Sequence, residues 1–307
     1  MRRRRARRAG TARREGASEV GTLALQLLVN GILLGGLYVL VAQSLNLIFG
    51  VMGVVNLAHG SIIALAGLFT YWFSMRTGLS PLLVLPLALA GGAAAGAAGQ
   101  RLLIEPVMQA GAKAGLLSLI VTFGLSYVLI ELALQVFGSD FVSVPYLQSS
   151  WKLGALAFGK ALVVAGAFAA VMSALLYWWL NRTYSGKALL AASQSPTGAL
   201  SCGIDVARVR LIAFGIGVGL AAAAGVLVIV IMPVAPQTAS DLTLLAFVII
   251  ALGGLGDYLG VAAAALLLGI AQSVAGYYLG GNAEYVLPYV LLLVVMLAGP
   301  GRFRRLG

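Results

Sequence analysis

The residues able to do chemistry are few and far apart. His59 is the one histidine and Cys202 the one cysteine in 307 residues, so neither a disulfide framework nor a cysteine- or imidazole-based metal site can be assembled, and no cofactor is implied. Catalysis needs a nucleophile or an acid and base pair held together in a pocket. Glu105, Glu131, Asp140, Asp205, Asp241, Asp257 and Glu284 are instead single and scattered, and no catalytic residue is assigned. GALAFGKA, Gly154 to Ala161, resembles a phosphate-cradling loop, but Ala161 stands where Ser or Thr would hold magnesium, and no strand is expected before it. This chain is therefore not expected to hydrolyse ATP. Glu131 lies well inside an apolar run. An ionisable group there is costly to bury, so a proton-coupled carrier would have to depend on it; a glutamate that only packs or hydrogen-bonds fits equally.

Two short interruptions carry more information. Gly50 to Gly60 reads GVMGVVNLAHG and Ala251 to Gly260 reads ALGGLGDYLG, one in each half of the chain. Paired interruptions of this kind mark transport sites made from discontinuous helices. Asn56, His59 and Gly60 in the first, with Gly253, Gly254 and Gly256 in the second, are the candidate substrate-pathway residues. On a helix Asn56 and His59 would share a face. A capping asparagine and a breaking glycine would leave the same letters.

The elements that must hold these residues are apolar helices. Hydrophobic residues make up 61% of the chain and charged residues 9%, against about 25% charged in soluble domains. A soluble protein would need a charged outer face, which whole windows here lack. The fold expected is all-α, a polytopic transmembrane helix bundle. Apolar segments run over 23–49, 61–73, 81–104, 116–137, 161–180, 211–232, 242–252, 261–279 and 286–298. A crossing takes about 20 residues, so five or six segments span unaided. The short ones from Ser61 and Leu242 read as broken helices, giving eight or nine spans in all. Gly31 with Gly35, Gly92 with Gly96, and Gly215 with Gly219 have the spacing of close helix packing, a common and unspecific signal.

The net charge of +11 is concentrated, with eight of the 20 basic residues between Arg2 and Arg14. Residues 1–20 read as a basic, disordered tail able to touch anionic membrane lipid, and nucleic acid is not the expected partner. The apolar stretch behind the tail is too long for a signal peptide; a mis-assigned start would also explain the tail. The connector 181–210 carries Arg182, Lys187, Arg208 and Arg210 against Asp205, which places it, with the tail 301–307, in the cytoplasm. Alternation then puts the N-terminus outside, against its arginines. Either the first segment re-enters or the tail lies outside.

Asn30 to Gly60, ending in NLAHG, and Ala251 to Ser273, opening ALGGLGDYLG, resemble the signature blocks of the membrane-spanning permeases of branched-chain amino-acid ABC importers, the LivH-like family. The resemblance runs from Leu27 to Pro300, within a permease domain taken as 21–300. It implies alternating access, a homologous permease partner (a heterodimer), two ATPase subunits, a periplasmic or lipid-anchored solute-binding protein, and a place in the bacterial inner membrane. It also implies that the 185–205 loop couples to the ATPase, with Gly186, Ala188, Ala192, Pro196, Gly203, Ile204 and Asp205 as the residues concerned. The letters suit short helices: Ala188 to Ala192 favour helix, Pro196 can open another turn and Gly203 can close it. An amphipathic loop lying on the membrane is the plainer alternative. Ser193, Gln194, Ser195 and Pro196 stand where the family usually has charged residues, the connector at Glu105 to Met108 departs from its pattern, and Asp257 stands where it usually has serine. The cargo implied is leucine, isoleucine or valine; relatives carry urea or short amides, and a stand-alone proton-coupled transporter is the competing class.

Overall fold

The computed structural model describes residues 2–154 and 156–298, with the side chains of 2–20, 112, 153, 282–285, 295–296 and 298 left out of the description. The basic tail 1–20 and the C-terminal tail 301–307, with the expectations placed on them, fall outside the described side chains or residues. Among the described residues twelve α-helices follow one another: α1 (Arg2–Met52), α2 (His59–Thr77), α3 (Val84–Gly99), α4 (Glu105–Met108), α5 (Ala114–Phe137), α6 (Lys160–Arg182), α7 (Tyr184–Gln194), α8 (Pro196–Ser201), α9 (Val206–Ile231), α10 (Thr238–Gly253), α11 (Tyr258–Leu279) and α12 (Gly281–Ala298). In lipid every backbone polar group must be paired internally, and a helix does this within its own segment.

Six helical stretches are long and apolar enough to cross a bilayer: Gly21–Met52, Pro81–Met108, Ala114–Phe137, Lys160–Arg182, Val206–Ile231 and Tyr258–Leu279. By this measure, among the described residues, the count is six rather than eight or nine. The 16-residue α10 is too short to be among them. Neither α2 nor α10 is broken internally, contrary to the sequence reading: the interruptions separate α1 from α2 and α10 from α11. The first segment does not re-enter either, because α1 is one continuous helix.

Helix α9 is the hub. In its most apolar window 83% of residues are buried, against 17% for the windows containing α3 and α5, so those two are outer helices. Small residues let neighbours approach α9 closely. Gly92 and Gly96 of α3 face Val218, Gly219 and Ala222, while Gly215 and Gly219 face Leu89, Ala93 and Ala97 in return. Two of the small-residue pairs seen in the sequence are thus the two sides of a single crossing. The third pair, Gly31 and Gly35, meets Leu266 and Ile270 of α11.

A two-stranded hairpin, β1 (Ser150–Leu153) with β2 (Leu156–Gly159), precedes α6. Gln26 exchanges two hydrogen bonds with the backbone of Ala157, at 2.6 and 2.8 Å. Further along, Gly166 of α6 lies against Leu33 of α1. These two helices therefore run parallel, and the hairpin and the α7–α8 connector lie at opposite ends of the bundle. The strand before GALAFGKA was not expected. The ladder nevertheless engages the backbone of Leu156 to Gly159, so the stretch is strand rather than a phosphate-cradling loop that opens a helix.

Candidate functional site

Between Met52 and His59 the chain leaves helix, turns at Gly53 (φ 63°) and passes back among its neighbours, with Val54, Asn56 and Ala58 all buried. Its polar contacts go to three helices. Leu57 N–H donates to Thr122 Oγ1 of α5 at 3.2 Å, and that hydroxyl is 3.1 Å from the Val55 carbonyl. Ser61 and Ser126 hydroxyls are 2.7 Å apart. Gly60 N–H donates to Thr243 Oγ1 of α10 at 2.9 Å. His59 Nε2 sits 3.1 Å from both the Val41 carbonyl and Ser44 Oγ of α1. A carbonyl can only accept, so Nε2 carries the proton and Nδ1 is left as a bare, buried acceptor without a partner among the described residues.

The second interruption docks on the same stretch of α1. Asn46 Oδ1 accepts from Gly256 N–H at 2.9 Å, and Gln43 Nε2 reaches the Tyr258 carbonyl at 3.4 Å. Gly254 and Gly256 have positive φ, 97° and 82°, which a side chain would strain. A Cβ on Gly253 would collide with the Gly260 and Val261 backbone, and one on Gly60 with the Ala239 carbonyl and Thr243. Of the six candidate pathway residues, His59 and Gly256 bond directly to α1, between Val41 and Asn46. They act there mainly as internal fastenings, and the Gly60 N–H at the start of α2 is taken by protein rather than left for a solute.

Asn56 differs from the expectation of a shared helix face, because it precedes α2. Its Oδ1 accepts from Ala58 N–H at 3.1 Å, an Asx turn that leads into the helix. Its Nδ2 has no partner among the described residues, and the residue lines an apolar cavity of about 630 Å³ among α2, α3, α5 and α9.

The sequence reading passed over Gln43, Ser44, Asn46, Ser61, Thr122, Ser126 and Thr243. A signal was present: Ser118, Thr122 and Ser126 recur every four residues in α5, which puts them on one face. Gln43, Ser44 and Asn46 are polar residues set inside an otherwise apolar span. Glu131, by contrast, is exposed on α5 and accepts from Gln135 at 3.3 Å. It reaches no part of the junction.

The second candidate region, 181–210, is three helix starts in succession. Thr183 caps α7 by accepting from Gly186 N–H (3.1 Å), Ser195 caps α8 from Gly198 N–H (3.0 Å) and Asp205 caps α9 from Arg208 N–H (3.0 Å). Pro196 stands at the first position of α8, and Gly203 turns with φ 77°. The residues expected to couple divide between two faces. Gly186, Ala188 and Ala192 are buried, with Gly186 against the Trp179 and Leu180 backbone of α6. They face the bundle, because the apolar side of an amphipathic helix goes inward. Pro196, Gly203 and Asp205 are exposed and Ile204 is half-buried. Exposed large hydrophobic side chains here are Tyr184 and Leu200.

A sequence profile described as "Branched-chain amino acid transport system / permease component" matches residues 27–296. The chain belongs to this permease family. Permease LivH of a high-affinity branched-chain amino acid transport system in Escherichia coli (strain K12) is 27% identical over 299 residues, covering 90% of this permease and 94% of that one. A probable LivH from Methanocaldococcus jannaschii is 27% identical over 284 residues, covering 89% and 88%. BraD of Pseudomonas aeruginosa, in a transport system of the same description, is 26% identical over 293 residues, covering 90% and 94%. A solved structure, "PsaBC from Streptococcus pneumoniae in complex with Fab", aligns with a TM-score of 0.45 at 16% identity, covering 91% of this permease and 95% of that chain. The departure of the permease at Asp257 has a local explanation. Asp257 Oδ1 accepts from Leu259 and Gly260 N–H, both at 3.0 Å, and caps α11. Serine and aspartate do that work about equally well.

Proposed function

We propose that this permease is the membrane-spanning subunit of an ATP-driven importer of leucine, isoleucine, valine or related small amino acids in the bacterial inner membrane. A separate ATPase drives it through α7 and α8, and a binding protein delivers the solute. The observation that carries this reading is the family match over 27–296, joined to a helix pair packed on α1, α6 and α9 that leaves Tyr184, Pro196 and Leu200 exposed. A push on that pair is transmitted to the end of α1 where the polar junction sits. The basic residues of 181–210 support a cytoplasmic position for this end.

Glu131 supports a second permease rather than proton coupling. A carboxylate facing lipid costs about 2.5–3.5 kcal/mol or more near mid-membrane, so the exposed face of α5 is where a homologous subunit belongs. Substrate passes between the two subunits, with α1, α2 and the Gly253–Gly256 turn shifting together.

The test is ATP-dependent uptake of labelled leucine by proteoliposomes holding the permease and its genomic-neighbour ATPase, permease and binding protein. Tyr184→Asp with Leu200→Asp should cut uptake at least tenfold and release the ATPase on size exclusion, while expression and Tm stay unchanged. Uptake that survives both substitutions sinks the coupling role, and proton-driven uptake by the permease alone sinks the importer.

A further inference from the structure

The cavity of about 630 Å³ beside Asn56 is not suited to the amino acid. It runs along the outer helix α3 and its helical continuation Gln100–Ile104, from Leu87 to Leu103, roughly 24 Å at 1.5 Å per residue. Among the described lining residues Asn56 is the one polar side chain, and the rest are aliphatic, aromatic, alanine or glycine. A zwitterion would bring two charges into that lining with no charged side chain to meet either, a heavy desolvation cost. Water is also a poor occupant, because a buried water needs two to four polar partners. Yet Asn56 is 1% exposed and its Nδ2 donates to nothing, and a buried donor is rarely left unpaired.

The shape says where an occupant enters. Helices α3 and α5 pack on α9 and α2 respectively, and the slot lies between them. Leu87 and Leu103 at its ends are 53% and 39% exposed. Gly91 and Gly99 face open space, since a Cβ on either would meet nothing within 4 Å. The slot is therefore long, apolar, open sideways at the bundle's outer surface, and equipped with one hydrogen-bond donor.

We infer that this slot is a binding site for the chain of an uncharged membrane lipid, whose ester or hydroxyl oxygen accepts a hydrogen bond from Asn56 Nδ2. The site does not depend on which solute the permease carries. An occupied slot wedges α3 and α5 apart, and so sets how far α2, which shares the slot, can move.

The full-length permease in phosphatidylcholine proteoliposomes is exposed to a monoacylglycerol with a photoactivated diazirine on its acyl tail, and adducts are mapped by peptide mass spectrometry. A parallel arm uses the matching fatty-acid anion at pH 8. Adducts from the neutral probe should concentrate on the slot-lining residues of α2, α3, α5 and α9. Gly91→Leu and Gly99→Leu fill the space and should lower slot adducts at least tenfold. Both replace a glycine inside a helix, which favours folding. Asn56→Ser keeps an oxygen able to accept from Ala58 N–H and should lower slot adducts about three- to tenfold, the worth of one hydrogen bond. Adducts spread evenly over the outer faces and unchanged in the glycine variants would overturn the site. Equal slot labelling by the anion would overturn its assignment to an uncharged lipid.

Discussion

The two candidate regions are built on opposite principles. The junction around Gly50 to Gly60 is held by bonds between distant residues: Gly60 to Thr243, Gly256 to Asn46, Leu57 to Thr122. The connector 181–210 is held by bonds three residues apart, at Thr183, Ser195 and Asp205. The first region changes shape only if several helices move at once. The second keeps its local shape whatever the bundle does, and presents an exposed face. The transmission proposed for α7 and α8 needs that division, with a stiff lever at the surface and a many-helix joint inside.

The comparison can be broken most decisively at Gly60. Gly60→Ala drives a methyl into the Ala239 carbonyl and Thr243, and backbone cannot yield as a side chain does. The expected cost is about 1–3 kcal/mol or more, read as a large fall in Tm and in monodisperse yield; a variant as stable as the parent would show that the joint is loose. Thr243→Val preserves shape but strands the Gly60 N–H, at about 1–3 kcal/mol, and should lower Tm and uptake together. Ser195→Ala, in the connector, removes a cap worth about 1 kcal/mol. It should speed hydrogen exchange over 196–203 without moving the global Tm, and a global shift would mean that the two regions are not independent. The smallest effect is expected at Asp257. Asp257→Ser should leave Tm within experimental error, whereas Asp257→Ala should lose about 1 kcal/mol; equal losses would remove the capping explanation.

Legibility in the sequence follows the same division. The helices of 181–210 could be read beforehand because propensity at Ala188 to Ala192, proline at 196 and glycine at 203 act within a few residues of themselves. Which side of those helices faces outward could not, and Ala188 and Ala192 proved to be buried. Glu131 showed the same limit: its depth along the chain was legible, but not the face of α5 on which it stands.

Composition and apolar run length by themselves determined that this is an all-helical membrane protein, and the spacing of its interruptions showed where to look, because solvent transfer and backbone pairing are local demands. Tertiary structure alone decided that both interruptions dock on the single turn Gln43 to Asn46 of α1, that Gly92 and Gly96 pair with Gly215 and Gly219, and that Asn56 faces a cavity with its amide unpaired. Those facts depend on which helix faces give up lipid for one another. In a chain whose faces are apolar nearly all round, steric fit between small residues and the few buried polar groups makes that choice.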